Sequence, residues 1–190
     1  VITASALQGF TSALSDAYRY AQDLNESLTN IRIVTEYSTE QMRDFAQYAN
    51  ESAQRLSTTT TDYTDAALYT IKGLSEEEVQ ARTETTIRLA QAAGISAQEA
   101  SEELSAIWNN FYTEGGPALE YYADVLVRLG ADTASSSEEI SEGLQQFASV
   151  ADAVGLSYEY AASALATITA TTRESANTVG TALRTLFARF

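Results

Sequence analysis

The chain has no histidine, no cysteine and a single proline among its 190 residues. Without a thiol or an imidazole there is no disulfide, no thiol nucleophile, no imidazole base and no zinc site of the usual kind. Proline normally makes up ~5% of a globular chain, and its scarcity favours long, uninterrupted helices. Basic residues are also few. Eleven lysines and arginines face 26 acids, for a formal net charge of -15. A field of that sign repels phosphate backbones and anionic lipid, so no nucleic-acid binding is expected. No run approaches the ~18 apolar residues of a membrane helix, so no membrane span is expected in this segment. The opening residues lack the charged and apolar regions of a signal peptide. The chain begins at Val1 rather than methionine, and we expect it to be a piece of a longer protein.

Hydrophobic residues make up 45% of the sequence, enough for a sizeable core. Leu7, Phe10, Leu14, Ala17, Ala21, Leu24, Leu28 and Ile31 alternate by three and four, the spacing of a coiled-coil seam. This predicts a long first helix that either packs within its own domain or self-associates through Leu7, Phe10, Leu14, Leu24 and Leu28. The β-branched run Ile31 to Thr35 predicts an extended connector. Ser38 and Gln41 then form a capping box, and the next helix carries Met42, Phe45, Ala46, Ala49, Ala53 and Leu56 on one face. After the Ser57–Thr61 run, Asp62 is expected to cap a short helix reaching Lys72.

From Gly73 onward the punctuation is regular. Gly73-Leu74-Ser75, Gly94-Ile95-Ser96 and Gly155-Leu156-Ser157 share one pattern. Glycine ends a helix in the left-handed conformation, an apolar residue folds back, and serine caps the next helix. Glu78 and Glu99 stand where capping boxes with Ser75 and Ser96 need them, and Ser136 with Glu139 repeats the box after a break near Gly130, where Gly130-Ala131-Asp132 is a variant of the joint. Another break is expected at Gly115-Gly116-Pro117. Stripes of helical period fill the intervals: Ala100, Leu104, Ile107, Trp108 and Phe111; Leu119, Tyr122, Ala123, Leu126 and Leu129; Ile140, Leu144, Phe147, Ala148, Ala151 and Val154. Ala161, Leu165 and Ile168 follow, then Val179, Leu183, Leu186, Phe187 and Phe190.

An offset of 61 positions superposes Gly94 on Gly155, Ser96 on Ser157, Ala100 on Ala161, Leu104 on Leu165 and Ile107 on Ile168. Residues of about 75–112 and 136–173 therefore form a repeat of two helical units. The fold class expected is all-α: a layered bundle of successive helical hairpins behind a long heptad-patterned helix. The division expected is 1–34 for that helix and its connector, and 35–190 for the bundle.

No catalytic, cofactor-binding or metal-ligating residue can be assigned, and no cofactor is expected. Glu76-Glu77-Glu78, Glu102-Glu103 and Glu138-Glu139 are acidic clusters. The first and third lie in first helical turns, where acids complement the helix dipole, and all three are expected in surface or capping roles. Asn25-Glu26-Ser27 and Asn50-Glu51-Ser52 match the glycosylation sequon but fall inside predicted helices. Gly115-Gly116 lacks the Gly-Lys-Ser/Thr of a phosphate loop. Arg173, Arg184 and Arg189 are too few to make a nucleic-acid stripe. Trp108, on an apolar stripe, is expected in the core rather than as an interface anchor.

Two motifs resemble recurrent blocks of phage tail tape measure proteins: Gly73-Leu74-Ser75-Glu76-Glu77-Glu78-Val79 and Ala92-Ala93-Gly94-Ile95-Ser96-Ala97-Gln98-Glu99-Ala100. The closing run from Ser175 to Arg189 contains Gly180-Thr181-Ala182-Leu183-Arg184, which is similar to a signature of that family. The resemblance covers roughly Thr35 to Phe190. It implies a virion structural role, scaffolding tail tube assembly and setting tail length, with no catalytic residues. The implied partners are the tail tube protein, tail assembly chaperones and tail tip proteins. The implied location is the interior of the tail tube, and the host cytoplasm during assembly. The competing expectation is a non-enzymatic helical adaptor module of a cellular protein.

Overall fold

The computed structural model describes residues 4–71, 73–113 and 117–189, with side chains from residue 12 onward. Among the described residues there are nine helices and no strand: α1 (Ala4–Thr35), α2 (Thr39–Arg55), α3 (Thr60–Thr70), α4 (Glu76–Ala93), α5 (Ala97–Phe111), α6 (Leu119–Asp132), α7 (Ser137–Ala153), α8 (Tyr158–Thr172) and α9 (Ala176–Phe187). The all-α class expected from period and capping is the class found. The chain divides into two compact units, Val1–Gly73 and Leu74–Phe190. The division thus falls at Gly73 rather than after residue 34, because α1 packs on α2 and α3.

In the first unit α1 runs straight through Ile31–Thr35, where an extended connector was expected. Burial of Ile31 overrides the weak extended preference of β-branched residues. The Thr35 hydroxyl helps by donating back to the Ile31 carbonyl at 2.8 Å. The helix stops at Glu36, which takes a left-handed φ of 57°. Ser27, buried, lies 2.7 Å from Thr64 Oγ1 and donates to Asp65 Oδ1 at 2.5 Å, tying α1 to α3. Ser38 and Gln41 form the expected capping box on α2. The cap of α3 is Thr59, with Asp62 as its reciprocal partner three residues in, not Asp62 itself. On α2, Phe45, Ala49 and Ala53 are buried as their stripe requires. Ser27 and Ser52 of the two sequons are likewise buried within helices.

The heptad seam splits. Ile31 is buried and Leu24 and Leu28 are half-buried, whereas Leu14 is 54% exposed and Ala17 and Ala21 are exposed. The side chains of Leu7 and Phe10 lie outside the described residues.

The second unit is built from the repeat. Gly94 and Gly155 take left-handed φ values of 73° and 77°. The amides of Ile95 and Leu156 reach back to the carbonyls of Ala90 and Ala151 at 3.1 and 2.9 Å, closing each helix end in a Schellman-like turn. Ser96 and Ser157 then cap α5 and α8. The Ser96 box is completed by Glu99, and Ser136 with Glu139 makes the same box on α7. Ser75 caps α4, but Glu78 does not complete a box. It binds Arg82 at 2.8 Å instead. The break expected near Gly130 falls two residues on, where α6 ends at Asp132, and Gly130 itself stays helical. Its bare Cα serves close approach: a Cβ there would stand 2.6 Å from Ser137 Oγ and 2.8 Å from Ser137 N. Gly115 and Gly116 lie outside the described residues, between α5 and α6. Phe190, expected to close the last stripe, does too.

α7 occupies the middle of this unit, packed by α5, α6, α8 and α9. Ile140, Leu144, Phe147 and Ala151 are buried along it. Val154, expected on the same stripe, is exposed because the helix has already ended at Ala153. Leu186, the penultimate residue of α9, is also exposed. Ala100, Leu104, Ala161 and Leu165, equivalent pairs in the repeat, are all fully buried.

Candidate functional site

The acidic clusters separate by environment. Glu76, Glu77 and Glu78 occupy the first turn of α4, and Glu138 and Glu139 the first turn of α7, as their sequence context implies. Glu99 is fixed by its cap: the Ser96 amide and then the Ser96 hydroxyl hold its carboxyl below the usual range. Glu103 is different. It was expected at the surface with Glu102, yet it is 5% exposed and packed between α5 and α7. The spacing explains this. Glu103 falls three residues after Ala100 and four before Ile107, on the buried stripe of α5, while Glu102 points outward.

Glu103 Oε2 makes no hydrogen bond, and neither does the nearby Ser141 Oγ. Burial chiefly, and then the charge of Glu138, push the Glu103 carboxyl up to about 8; the Ser141 hydroxyl, unbonded but close enough to favour the ionised form, pulls the other way, and Glu99 adds to the rise. At neutral pH this carboxyl keeps its proton. The folded chain therefore holds a proton that the unfolded chain gives up above the ordinary value of 4.5. Stability falls as pH climbs from 4.5 towards 8.

The notch around it is lined by Glu99, Glu102, Glu103, Glu138, Glu142 and Gln145 and has a volume of about 140 Å³. Sites for small molecules usually enclose ~300 Å³ or more, so this is not a substrate cleft between two carboxyls. Among the described residues no group of three acids could hold a metal ion. A second hollow of about 350 Å³ lies against Phe111, Tyr121, Tyr122, Tyr158 and Glu159. Its phenols are engaged structurally. Tyr122 donates to the Phe111 carbonyl at 2.8 Å, Tyr158 donates to the Tyr122 carbonyl at 2.7 Å, and Tyr121 donates to the Glu159 carboxylate. Burial pushes the Tyr158 phenol well above its usual value, so it stays protonated at neutral pH.

Trp108 is in the core, as its stripe implied. Its indole donates to the Leu119 carbonyl at 3.3 Å, and the Arg82 guanidinium sits 4.8 Å above its ring. No helix among the described residues is long and apolar enough to cross a membrane.

The closing signature has a structural meaning. Gly180 of α9 lies against Gly143 of α7, so that a Cβ on Gly180 would overlap the Gly143 carbonyl oxygen. A Cβ on Gly143 would stand 2.7 Å from Leu165 Cδ2 and 3.1 Å from the Ala176 carbonyl oxygen. Val179 and Leu183 flank the crossing and are buried. Within the run Gly180-Thr181-Ala182-Leu183-Arg184, Gly180 and Leu183 thus belong to the buried face that lets α9 lie on α7, while Thr181, Ala182 and Arg184 are exposed. A family model for phage-related minor tail proteins matches residues 49–190, from α2 through this signature. The chain belongs to the phage-related minor tail protein family. No solved structure matches it.

As a minor tail protein it is a structural component of a phage tail, and its partners are to be sought among tail proteins. The cellular adaptor reading gives way to this match. The match leaves out the first 48 residues and with them the whole of the seam on α1.

Proposed function

We propose that this minor tail protein segment belongs to a tail tape measure protein, the ruler around which tail tube subunits polymerise. The observation that carries the reading is the Gly180–Arg184 signature, seated on α7 and preceded in order by the Gly-apolar-Ser joints at Gly73, Gly94 and Gly155. In this reading the segment lies in the tail tube, after assembly in the host cytoplasm. It acts with the tail tube protein, assembly chaperones and tail tip proteins, and catalyses nothing. The lack of histidine and cysteine and the engagement of the buried phenols support the last point. A net charge of -15 suits a protein that shares a tube with DNA without being retained on it. The test is a phage in which residues 74–190 are duplicated or deleted in frame, with tail length measured by electron microscopy. Tails should lengthen or shorten by up to ~1.5 Å per residue, the rise of a fully helical ruler. Virions of unchanged tail length would refute the ruler role while leaving family membership intact.

The exposed half of the α1 seam supports self-association as part of this role. A seam with period 3.5 fits another helix of the same period, and Leu14, Ala17 and Ala21 present it to solvent. Light scattering should show a multimer, favoured by added salt because salt screens the acidic self-repulsion. Leu14→Asp with Ala17→Asp should give a monomer with unchanged helicity. A wild-type monomer at high concentration and high salt would count against it.

A further inference from the structure

We propose that Glu103, set between α5 and α7 opposite Glu138, is a proton-operated latch: the protonated carboxyl lets the two helices pack, and loss of the proton loosens them. The geometry is a buried acid facing other acids. Glu103 is 5% exposed, its Oε2 has no hydrogen-bond partner, and it lines the notch with Glu99, Glu102, Glu138 and Glu142. A neutral carboxyl is tolerable there. An ionised one is a buried charge beside like charges, with no compensating cation.

The groups on each neighbouring helix bear this out. From α7 come Glu138, Glu142, the Ser141 hydroxyl and Gln145. From α8 comes Tyr158, whose phenol feels the Glu103 charge but donates its hydrogen bond to the Tyr122 carbonyl. On α4, Arg82 is committed to Glu78 and to the Trp108 ring. On α6 the charged groups Glu120, Asp124, Arg128 and Asp132 are all exposed, and Arg128 binds Asp132 at 2.8 Å. None of these basic groups acts on Glu103, whose shift has burial, Glu138, Ser141 and Glu99 as its causes. Glutamine or leucine would fill the same space without the penalty, so the acid makes packing depend on a proton.

The composition makes the device easy to read. With no histidine and no cysteine, no ordinary side chain titrates between about pH 5.5 and 8.5, leaving only a chain-terminal amine. The intact chain should melt at progressively lower temperature as pH rises from 5 to 9. Glu103→Gln should flatten that dependence, and Glu138→Gln should give a smaller fall that ends at lower pH. Amide exchange in α5 and α7, corrected for intrinsic base catalysis, should rise at least about tenfold from pH 6 to 9 in wild type only. Wild-type pH dependence retained in Glu103→Gln would overturn the latch. So would a side-chain carboxyl ¹³C titration of Glu103 in the unmutated chain with its midpoint among the ordinary glutamates. That measurement decides the matter even where the variant does not fold.

Discussion

Trp108→Ala is expected to destabilise the protein by ~3–5 kcal/mol, the usual loss when a buried large aromatic is truncated. The side chain is 2% exposed and is the bulkiest of the fully buried residues. It is also a junction. The indole belongs to α5, its N–H is taken by Leu119 at the start of α6, and Arg82 of α4 covers its ring. Removing it leaves a cavity and takes the indole from beneath the Arg82 guanidinium. Against a typical total stability of ~5–15 kcal/mol this is a large fraction. Trp108→Phe separates the contributions: it keeps a ring but drops the N–H, and should cost only ~1–2 kcal/mol. Because the chain has one tryptophan, circular dichroism rather than intrinsic fluorescence should follow the denaturant transitions. A loss below ~1 kcal/mol in Trp108→Ala would mean the residue is not an element of the core.

What could be read from the sequence was the chemistry that acts within a few residues. Capping at Ser38, Ser96 and Ser136 depends on a side chain and an amide three positions on, and all three caps form. Gly94 and Gly155 needed only the Gly-apolar-Ser order to be recognised as left-handed helix ends. Where local signals and packing compete, packing prevails. Ile31–Thr35 stays helical because Ile31 has a buried place to go, and that place is set by α2 and α3, far along the chain. Gly130 looked like a helix end, but the constraint on it is the approach of Ser137. Glu103 was hidden by its neighbour: Glu102-Glu103 reads as a surface pair unless each residue is set against the stripe of Ala100, Leu104 and Ile107. Its role beside Glu138 needs the pairing of α5 with α7, and no periodicity supplies that. For the tail function, composition removed most chemistry but pointed nowhere, and the Gly180–Arg184 run carried the inference.

Gly180→Val is expected to destabilise the chain by ~1–3 kcal/mol, and more if α9 cannot shift on α7. Two effects oppose each other here. Glycine inside a helix is unfavourable by ~1 kcal/mol relative to alanine, so any side chain at an open helical position would stabilise. Gly180 is not an open position. Its Cβ would overlap the Gly143 carbonyl oxygen and stand 3.1 Å from Gln146 Cβ, and the first of these is backbone that cannot rotate aside. The clash therefore exceeds the propensity gain, and α9 must lift away, exposing Val179 and Leu183. Gly180→Ala should be milder but still destabilising, because the first added carbon already meets the carbonyl. Thr181→Ala, one residue on and exposed, provides the control: it should change stability by no more than ~0.5 kcal/mol. Denaturant midpoints of the three variants decide the point. Stabilisation by Gly180→Ala would mean that the crossing has slack, and that the glycine of the signature is kept for something other than the approach of α9 to α7.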